Sequence, residues 1–426
     1  MTEFLDGFLA VIVAGILSVV VLYQVRVRSE PSERLFLVRV LLWTLLLRFA
    51  LAIVLNIFAA DSAFAAAFWG DSGTYDIGGY QLSLMWSGES MAAGYLSRMV
   101  SGYGWAYFVG AIYFVFGRNQ LLVQLLNGLI GAITVLVIYA IAARLFGRPT
   151  ARWAALFMAF FPQMVFWSTG MYKDPAVLLC IAVAMYAAIG LRDRPSPGMI
   201  VLFVVAEVVL TMLRFYVAYF VFFGAIATFV FGKRRGTVRL VITYGVLVLV
   251  LYGALDIAVR RETLEQQATY LTLERLQTTR EDQAMWGKSG FGQEYDVSTP
   301  TGALAALPIG LAYLLFAPFP WAVSSVRQLL VLPETLVWYA LMPAFVRGLS
   351  FAIKKHFRAV LPIVVFATSL TVAYAIMQGN VGTAYRQRTQ VSMFFFIFMA
   401  VGIVERRRRR IPVTAGVPVS GLPRQL

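Results

Sequence analysis

The chain of 426 residues contains one cysteine, Cys180, and one histidine, His356. A disulfide within the chain is therefore excluded, and the cysteine usage says nothing about the redox compartment. Zinc and copper centres built from His and Cys ligands are excluded too. Charge is also scarce: 13% of the residues are Asp, Glu, Lys or Arg, where a soluble domain carries roughly a quarter. Lysine stands only at Lys173, Lys233, Lys288, Lys354 and Lys355. There is no phosphate loop of the P-loop type and no Ser-His-Asp set, so ATP-driven chemistry within the chain is not expected. What the chain has in abundance is apolar: 60% of the residues are hydrophobic, and the mean hydropathy is +0.77. These residues form long runs divided by short basic loops, the pattern of a polytopic α-helical membrane protein. A single water-soluble core, a disordered chain and a cytosolic enzyme are all excluded.

Lys and Arg number 36 against 21 Asp and Glu, a net charge of +15. In a soluble protein that surplus would suggest nucleic acid; here it orients helices. The first apolar run, 7–24, follows Glu3 and Asp6 and precedes Arg26, Arg28 and Arg34. The positive-inside rule places the N-terminus outside. No basic stretch precedes the run, so a cleaved signal peptide fits poorly. Further spans are expected at 36–58, 121–143, 153–167, 175–191, 199–213, 216–231, 241–259, 335–351, 360–377 and 393–404. The predicted fold class is an all-α polytopic membrane protein of about eleven transmembrane helices, N-terminus out and C-terminus in.

Two large exterior loops, 59–119 and 260–333, are expected to carry interfacial pieces. Leu84, Met85, Met91, Tyr95, Leu96 and Met99 recur at helical spacing in the first, and the apolar stretch 307–321 lies in the second. No short-period repeat and no soluble domain is visible. The chain divides into an N-terminal helix and cytoplasmic loop (1–35), a first transmembrane module (36–240), a C-terminal transmembrane region (241–404) and a basic tail (405–426). The run Arg406–Arg410 reads as topology signal and anionic-lipid contact. His356 reads as a solvated residue of a basic cytoplasmic loop.

Charges outside, or embedded in the bilayer, need another reason. Asp71 and Asp76 lie in Trp69-Gly70-Asp71-Ser72-Gly73-Thr74-Tyr75-Asp76 at the outer surface. They suit a general base or a hard-cation ligand, or else a turn capped by Asp. Lys173 and Asp174 stand between two apolar runs on the same side. Asp174 either caps the helix opened by Pro175 or takes part in chemistry; capping leaves Lys173 unexplained. Arg214, in Leu213-Arg214-Phe215-Tyr216, either snorkels to the interface or holds a phosphate. Arg386 and Arg388 follow Gly379-Asn380-Val381-Gly382 in an expected exterior loop and break the positive-inside rule. They read as a pair of anion-binding guanidinium forks, or as solvated residues. Arg48 and Glu207 fall mid-span, where a charge is either functional or paired for structure. Asp71, Asp76, Asp174, Glu294 and Asp296 are the available oxygen ligands, compatible with a divalent cation such as Mg or Mn.

Gly70-Asp71-Ser72 to Asp76 is followed by Phe116-Gly117-Arg118-Asn119, Asn127-Gly128, Ala143-Arg144-Leu145-Phe146-Gly147 and then Phe161-Pro162 to Lys173-Asp174. In that order the motifs resemble the N-terminal module of the GT-C superfamily of integral-membrane glycosyltransferases, especially the protein O-mannosyltransferase and lipid A aminoarabinose transferase type. The resemblance covers 36–231. Pro318-Phe319-Pro320-Trp321, Pro333-Glu334 and Gly379 to Arg388 are more loosely similar to membrane proteins of bacterial exopolysaccharide or O-antigen assembly.

The resemblance implies a sugar donor on a polyprenyl phosphate and transfer on the extracytoplasmic face of the bacterial inner membrane. It implies Asp71 and Asp174 as catalytic carboxylates, and Lys173, Arg214, Arg386 and Arg388 as phosphate ligands. Asp76 and Tyr295, one in each exterior loop, complete the expected substrate-binding set. The expected partners are the lipid-linked donor, a glycan, lipid or protein acceptor, and membrane lipids, with no nucleic acid. An extra helix precedes the module and no globular exterior domain follows it, which favours a monosaccharide transferase or an O-antigen-type polymerase over an oligosaccharyltransferase. Two other readings remain: a lipid-linked saccharide flippase, which would spread polar residues along a cavity between two repeated halves, and a scaffolding protein.

Overall fold

The structure is a computed structural model, and it describes residues 2–58, 71–89, 104–194, 196–230, 272–286, 289–323 and 325–410. These residues are helical almost throughout, with one isolated antiparallel bridge between Gly290 and Asn380. In chain order the helices are α1 (Thr2–Arg28), α2 (Pro31–Phe58), α3 (Asp71–Trp86), α4 (Gly104–Phe116), α5 (Gln120–Phe146), α6 (Arg148–Phe160) and α7 (Pro162–Trp167). There follow α8 (Asp174–Asp193), α9 (Pro197–Val230), α10 (Leu273–Trp286), α11 (Pro300–Phe316), α12 (Val326–Met377) and α13 (Val381–Arg410).

The starts follow local chemistry. Asn119, Thr299 and Ser325 cap α5, α11 and α12 by accepting from Leu122, Gly302 and Gln328 N–H at 2.9, 3.1 and 3.3 Å. Proline opens α6, α7, α8 and α11, where its missing N–H costs no helical bond.

Among the described residues, seven helices are long and apolar enough to cross a membrane: α1, α2, α5, α8, α9, α12 and α13. Two of them are broken. α9 leaves helical geometry at Arg214 (φ −151°, ψ 82°) and α12 at His356 (φ −131°, ψ 23°). The expected pairs 199–213/216–231 and 335–351/360–377 are thus the halves of α9 and α12. The expected span 153–167 divides into the short helices α6 and α7. The run 241–259 and residues 91–99 lie outside the described residues, so the count of about eleven rests on the sequence alone.

The basic loops gather at one end of the bundle. Arg148 pairs with Glu30, and Arg152 with Glu33 at 2.8 Å. Arg144 and Arg192 both pair with Asp193, at 2.8 and 2.7 Å. Arg192 also donates to the Arg358 carbonyl at 3.3 Å, and Arg407 lies 5.0 Å from the Trp153 ring centre. His356 differs from expectation: it is half-buried at the α12 break, against the rings of Phe146 and Phe351 at 5.5 and 5.7 Å.

α1 exposes most of its apolar surface, as a lipid-facing helix does, whereas α13 is almost wholly buried. Gly348 of α12 and Gly402 of α13 let the two backbones touch: a Cβ on either would enter the Phe398 or Ala344 carbonyl. The expected exterior loop 378–390 is the clearest correction. α13 already begins at Val381, with the Asn380 side chain accepting from Gly382 and Thr383 N–H at 2.8 and 3.3 Å. Its first turns are polar yet turned inward, so a hydropathy reading starts the span too late.

Candidate functional site

At the end of the bundle opposite the basic loops, four helices bring their charged residues together. Asp71 and Asp174 are the first residues of α3 and α8, Arg214 sits at the α9 break, and Arg386 lies in the second turn of α13. Asp174 is buried and takes two guanidinium groups. Its Oδ1 accepts from Arg214 Nη2 at 2.9 Å; its Oδ2 accepts from Arg386 Nε at 2.8 Å and Nη2 at 2.6 Å. The remaining Arg386 nitrogen, Nη1, donates to Asp71 Oδ2 at 2.7 Å. The Arg386 guanidinium also lies over the rings of Trp167 and Tyr172, at 5.1 and 4.7 Å. One arginine thus links both expected catalytic carboxylates. They differ in setting, since the Asp71 side chain is 56% exposed and that of Asp174 only 1%.

Lys173 adjoins Asp174 just outside α8. Burial, reinforced by the Arg214 and Arg386 charges and opposed by Asp174 and Asp71, pushes its ammonium down to about 7. Tyr75, on α3, is pushed upward by burial first and then by the Asp71 charge. Two buried donors at this site, Arg214 Nε and Trp167 Nε1, have no acceptor among the described residues.

The turn 168–173, which carries Tyr172 and Lys173, is held by groups that sequence reasoning missed or left open. Asn127 on α5 donates to the carbonyls of Gly170 and Tyr172, both at 2.7 Å. Trp105 on α4 donates to the Met171 carbonyl at 3.0 Å. Arg48 on α2 donates to Ser168 Oγ at 2.9 Å, and to the carbonyls of Ala159 and Met158, at the C-terminal end of α6, at 2.8 and 3.3 Å. Gly131 makes room for this: a Cβ there would stand 2.9 Å from Ser168 Cβ and 3.1 Å from Arg48 Nε. Of the two readings of these embedded charges, a mutual pairing of Arg48 with Glu207 is not formed. Glu207 is buried on α9, and its Oε1 lacks a partner among the described residues. The signal for Asn127 is an amide near the start of an apolar run, which it shares with Gln124; a polar group there must find a partner.

Three expected substrate ligands lie elsewhere. Asp76 shares α3 with Asp71, but at 3.6 residues per turn the two point roughly 140° apart. It accepts instead from Tyr113 Oη at 2.7 Å and from Arg118 Nε at 3.3 Å, with a second contact from Arg118 Nη2. Tyr295 packs with Leu273, Leu276, Val297 and Ile376 beside α10. Arg388 does not act with Arg386: two residues along a helix is more than half a turn, so it faces α11 and α12. Its Nη1 donates to the Leu315 and Ala317 carbonyls at 3.0 and 3.1 Å.

Among the described residues, no three of His, Cys, Asp or Glu gather in a way that holds a metal ion. Of the expected oxygen ligands, Asp71 and Asp174 are bound to Arg386, and Asp76 to Arg118. Glu294 and Asp296 lie in the 289–299 segment, where Asp296 accepts from Ser298 N–H at 2.9 Å. A hard cation takes about six oxygens, part of them from water, and among the described residues these carboxylates do not gather in threes.

The geometry is that of a site at one end of a helix bundle, with two carboxylates bridged by one arginine and two further cations beside them. Residues 101–256 match the family model of dolichyl-phosphate-mannose-protein mannosyltransferases. Over this stretch the chain is similar to GT-C-type membrane glycosyltransferases, as its motifs led one to expect. The matched residues include Asn127, Lys173, Asp174 and Arg214, but not Asp71 or Arg386. Among solved structures, the chain is similar to the archaeal oligosaccharyltransferase AglB from Archaeoglobus fulgidus in complex with an inhibitory peptide and a dolichol-phosphate. The identity is 14% and the TM-score 0.43, over 72% of this chain and 42% of that one. This chain thus spans less than half the length of that protein. No curated protein matches the sequence.

Proposed function

We propose that the protein transfers a sugar from a polyprenyl-phosphate-type lipid to an acceptor hydroxyl on the extracytoplasmic face, in the assembly of bacterial surface polysaccharide or glycolipid. The observation that carries this reading is the buried Asp174 with Arg214 and Arg386 on its two oxygens, Lys173 beside it and Asp71 on the far side of Arg386. Three cationic side chains face two carboxylates there, and two buried N–H donors lack acceptors among the described residues. Such a site favours an anion and leaves one carboxylate near solvent.

The roles divide by exposure. Asp71, the exposed acid, takes the proton from the acceptor hydroxyl as the oxygen attacks the sugar carbon. The bond from that carbon to the phosphate oxygen breaks, and the lipid phosphate leaves with one more negative charge. Arg214, Arg386 and Lys173 stabilise that charge where it develops. Asp174 positions the two arginines. A flippase would spread its cations along a path; here they gather at one face, which supports transfer.

The test is turnover of mannosyl-phosphoryl-polyprenol by the full chain in lipid nanodiscs, read as released polyprenyl phosphate. Asp71→Asn is expected to stop turnover and to keep lipid binding. Undiminished turnover in that variant, or no binding of polyprenyl phosphate by the parent protein, overturns the reading.

A further inference from the structure

The face of α13 opposite Arg386 holds a second set of buried polar groups, and the mechanism above uses none of them. Arg388 is fully buried and lies over the rings of Trp338 and Tyr385, at 5.1 and 5.0 Å. The Leu315 and Ala317 carbonyls hold its Nη1. Its Nε and Nη2, the two donors of the side-on fork, have no acceptor among the described residues.

Glu334 of α12 is 5% exposed. Its Oε2 accepts from Tyr385 Oη at 2.9 Å; the Gln163 backbone N–H lies close to the carboxylate, yet Oε1 makes no well-formed hydrogen bond among the described residues. Gln163 of α7 is 1% exposed; its amide nitrogen donates to the Tyr385 carbonyl, and its Oε1 is likewise unpartnered. Tyr385 therefore ties the three groups together through its ring, its hydroxyl and its carbonyl. Glu334 and Arg388 are within electrostatic reach of each other, yet neither satisfies the other's free atoms.

Buried hydrogen-bonding atoms of this kind need partners. The chemistry of the free atoms restricts what those partners are. Two donors sit on one planar fork, with two acceptors nearby, and the cationic Arg388 is matched by an acid, Glu334. A phosphate would meet the Glu334 carboxylate, a cation would meet Arg388, and an apolar group would leave all four atoms unmet. A polyol answers every requirement, because each hydroxyl both donates and accepts, and two neighbouring hydroxyls match the fork.

We infer that Arg388, Glu334 and Gln163 form a sugar-hydroxyl subsite, separate from the phosphate cluster and joined to it through the Tyr385-Arg386 segment of α13. The inference rests on the reading that the chain handles a lipid-linked sugar. The sugar is that of the donor or that of the acceptor, and binding measurements separate these sources.

The probes are bare polyprenyl phosphate, its mannosyl, glucosyl and galactosyl phosphodiesters, and free methyl glycosides of the same sugars as acceptor mimics. Binding to the full chain in nanodiscs is read by tryptophan fluorescence. Glu334→Gln keeps an acceptor for Tyr385 but puts an amide donor at the free position. Arg388→Lys keeps the charge but loses the fork. Each is expected to weaken at least one sugar-bearing probe roughly tenfold and to leave bare polyprenyl phosphate unchanged. Weakening of a phosphodiester alone assigns the donor sugar; weakening of a methyl glycoside assigns the acceptor.

Unchanged binding of every probe overturns the subsite and leaves the nest to water. An equal loss for bare and glycosylated lipid also overturns it, since that marks a packing role. Should Arg388→Lys fail to fold, Glu334→Gln carries the test alone. Arg386→Ala is the control for the functional reading: it is expected to weaken bare polyprenyl phosphate as well. If it does not, the phosphate assignment fails while the sugar arms stay readable.

Discussion

The two ends of the bundle handle charge in opposite ways. At the basic end each acid meets arginines that stay in contact with water: Arg152 is 45% exposed where it meets the buried Glu33, and Arg148 and Glu30 are both exposed. At the other end Asp174 is buried and holds two guanidiniums, one of which reaches on to Asp71. Pairs near water contribute little, about 0–1 kcal/mol each. A buried cluster must first overcome desolvation, so stability alone is a weak reason to keep one. The basic end therefore explains orientation, and the other end calls for a ligand.

Substitutions can sharpen or break this contrast. The largest effect is expected for Asp71→Asn: turnover falls by about 10²–10⁴-fold, the scale of a lost general base. Its exposure keeps the fold intact, so the melting temperature stays put. Turnover at the parent rate would make this end as structural as the basic one. Asp174→Asn comes next. It leaves Arg214 and Arg386 facing each other without their full counter-charge, and a broken buried pair costs about 3–5 kcal/mol. A clear drop in melting temperature together with lost binding of polyprenyl phosphate is the expected result; loss of turnover at full stability would instead point to direct chemistry by Asp174.

A smaller effect is expected for Asn127→Ala, which frees the Gly170 and Tyr172 carbonyls and loosens the turn before Asp174. We expect kcat to fall roughly tenfold with little change in KM; a change confined to KM would place Asn127 in binding.

The pH profile tests Lys173, whose ammonium is pushed down to about 7. Below that pH the side chain is charged and attracts phosphate, and above it the charge is lost. Accordingly kcat/KM should fall a few-fold as pH rises through about 7. Lys173→Arg, charged throughout, should flatten that fall; a fall that persists in the variant belongs to another group. The smallest effect on turnover is expected at the basic end, where Glu33→Gln weakens a buried acceptor of Arg152 and Tyr139; it should cost about 1–3 kcal/mol of stability and leave turnover unchanged. A loss of turnover there would abolish the contrast.

Much of this was legible in the sequence, for definite reasons. Long apolar runs report membrane helices directly, and one-sided arginines give an expected direction for them. They also isolate Lys173, Arg214 and Arg386 as cations against the trend, and the structure brings all three to Asp174. Other features could not be read in that way. Hydropathy cannot see a helix whose polar face turns inward, so the start of α13 reads as a loop and Arg388 as a partner of Arg386. Asp71 and Asp76 look equivalent until the helix that carries them is known, because the angle between them depends on its turn. Trp105, Asn127 and Arg48 hold the turn through backbone carbonyls and a hydroxyl, contacts that leave no spacing pattern.

The bond between Asp71 and Arg386 joins residues 315 positions apart. At translation rates of about 5–20 residues per second, roughly 15–60 s separate the synthesis of the two. In the later part of that interval, once residue 214 has been made, a growing chain has Asp71, Asp174 and Arg214 but no Arg386 to bridge the two acids. Order of synthesis thus acts as a safety catch: unfinished copies are expected to remain inert toward the lipid around them until α13 arrives.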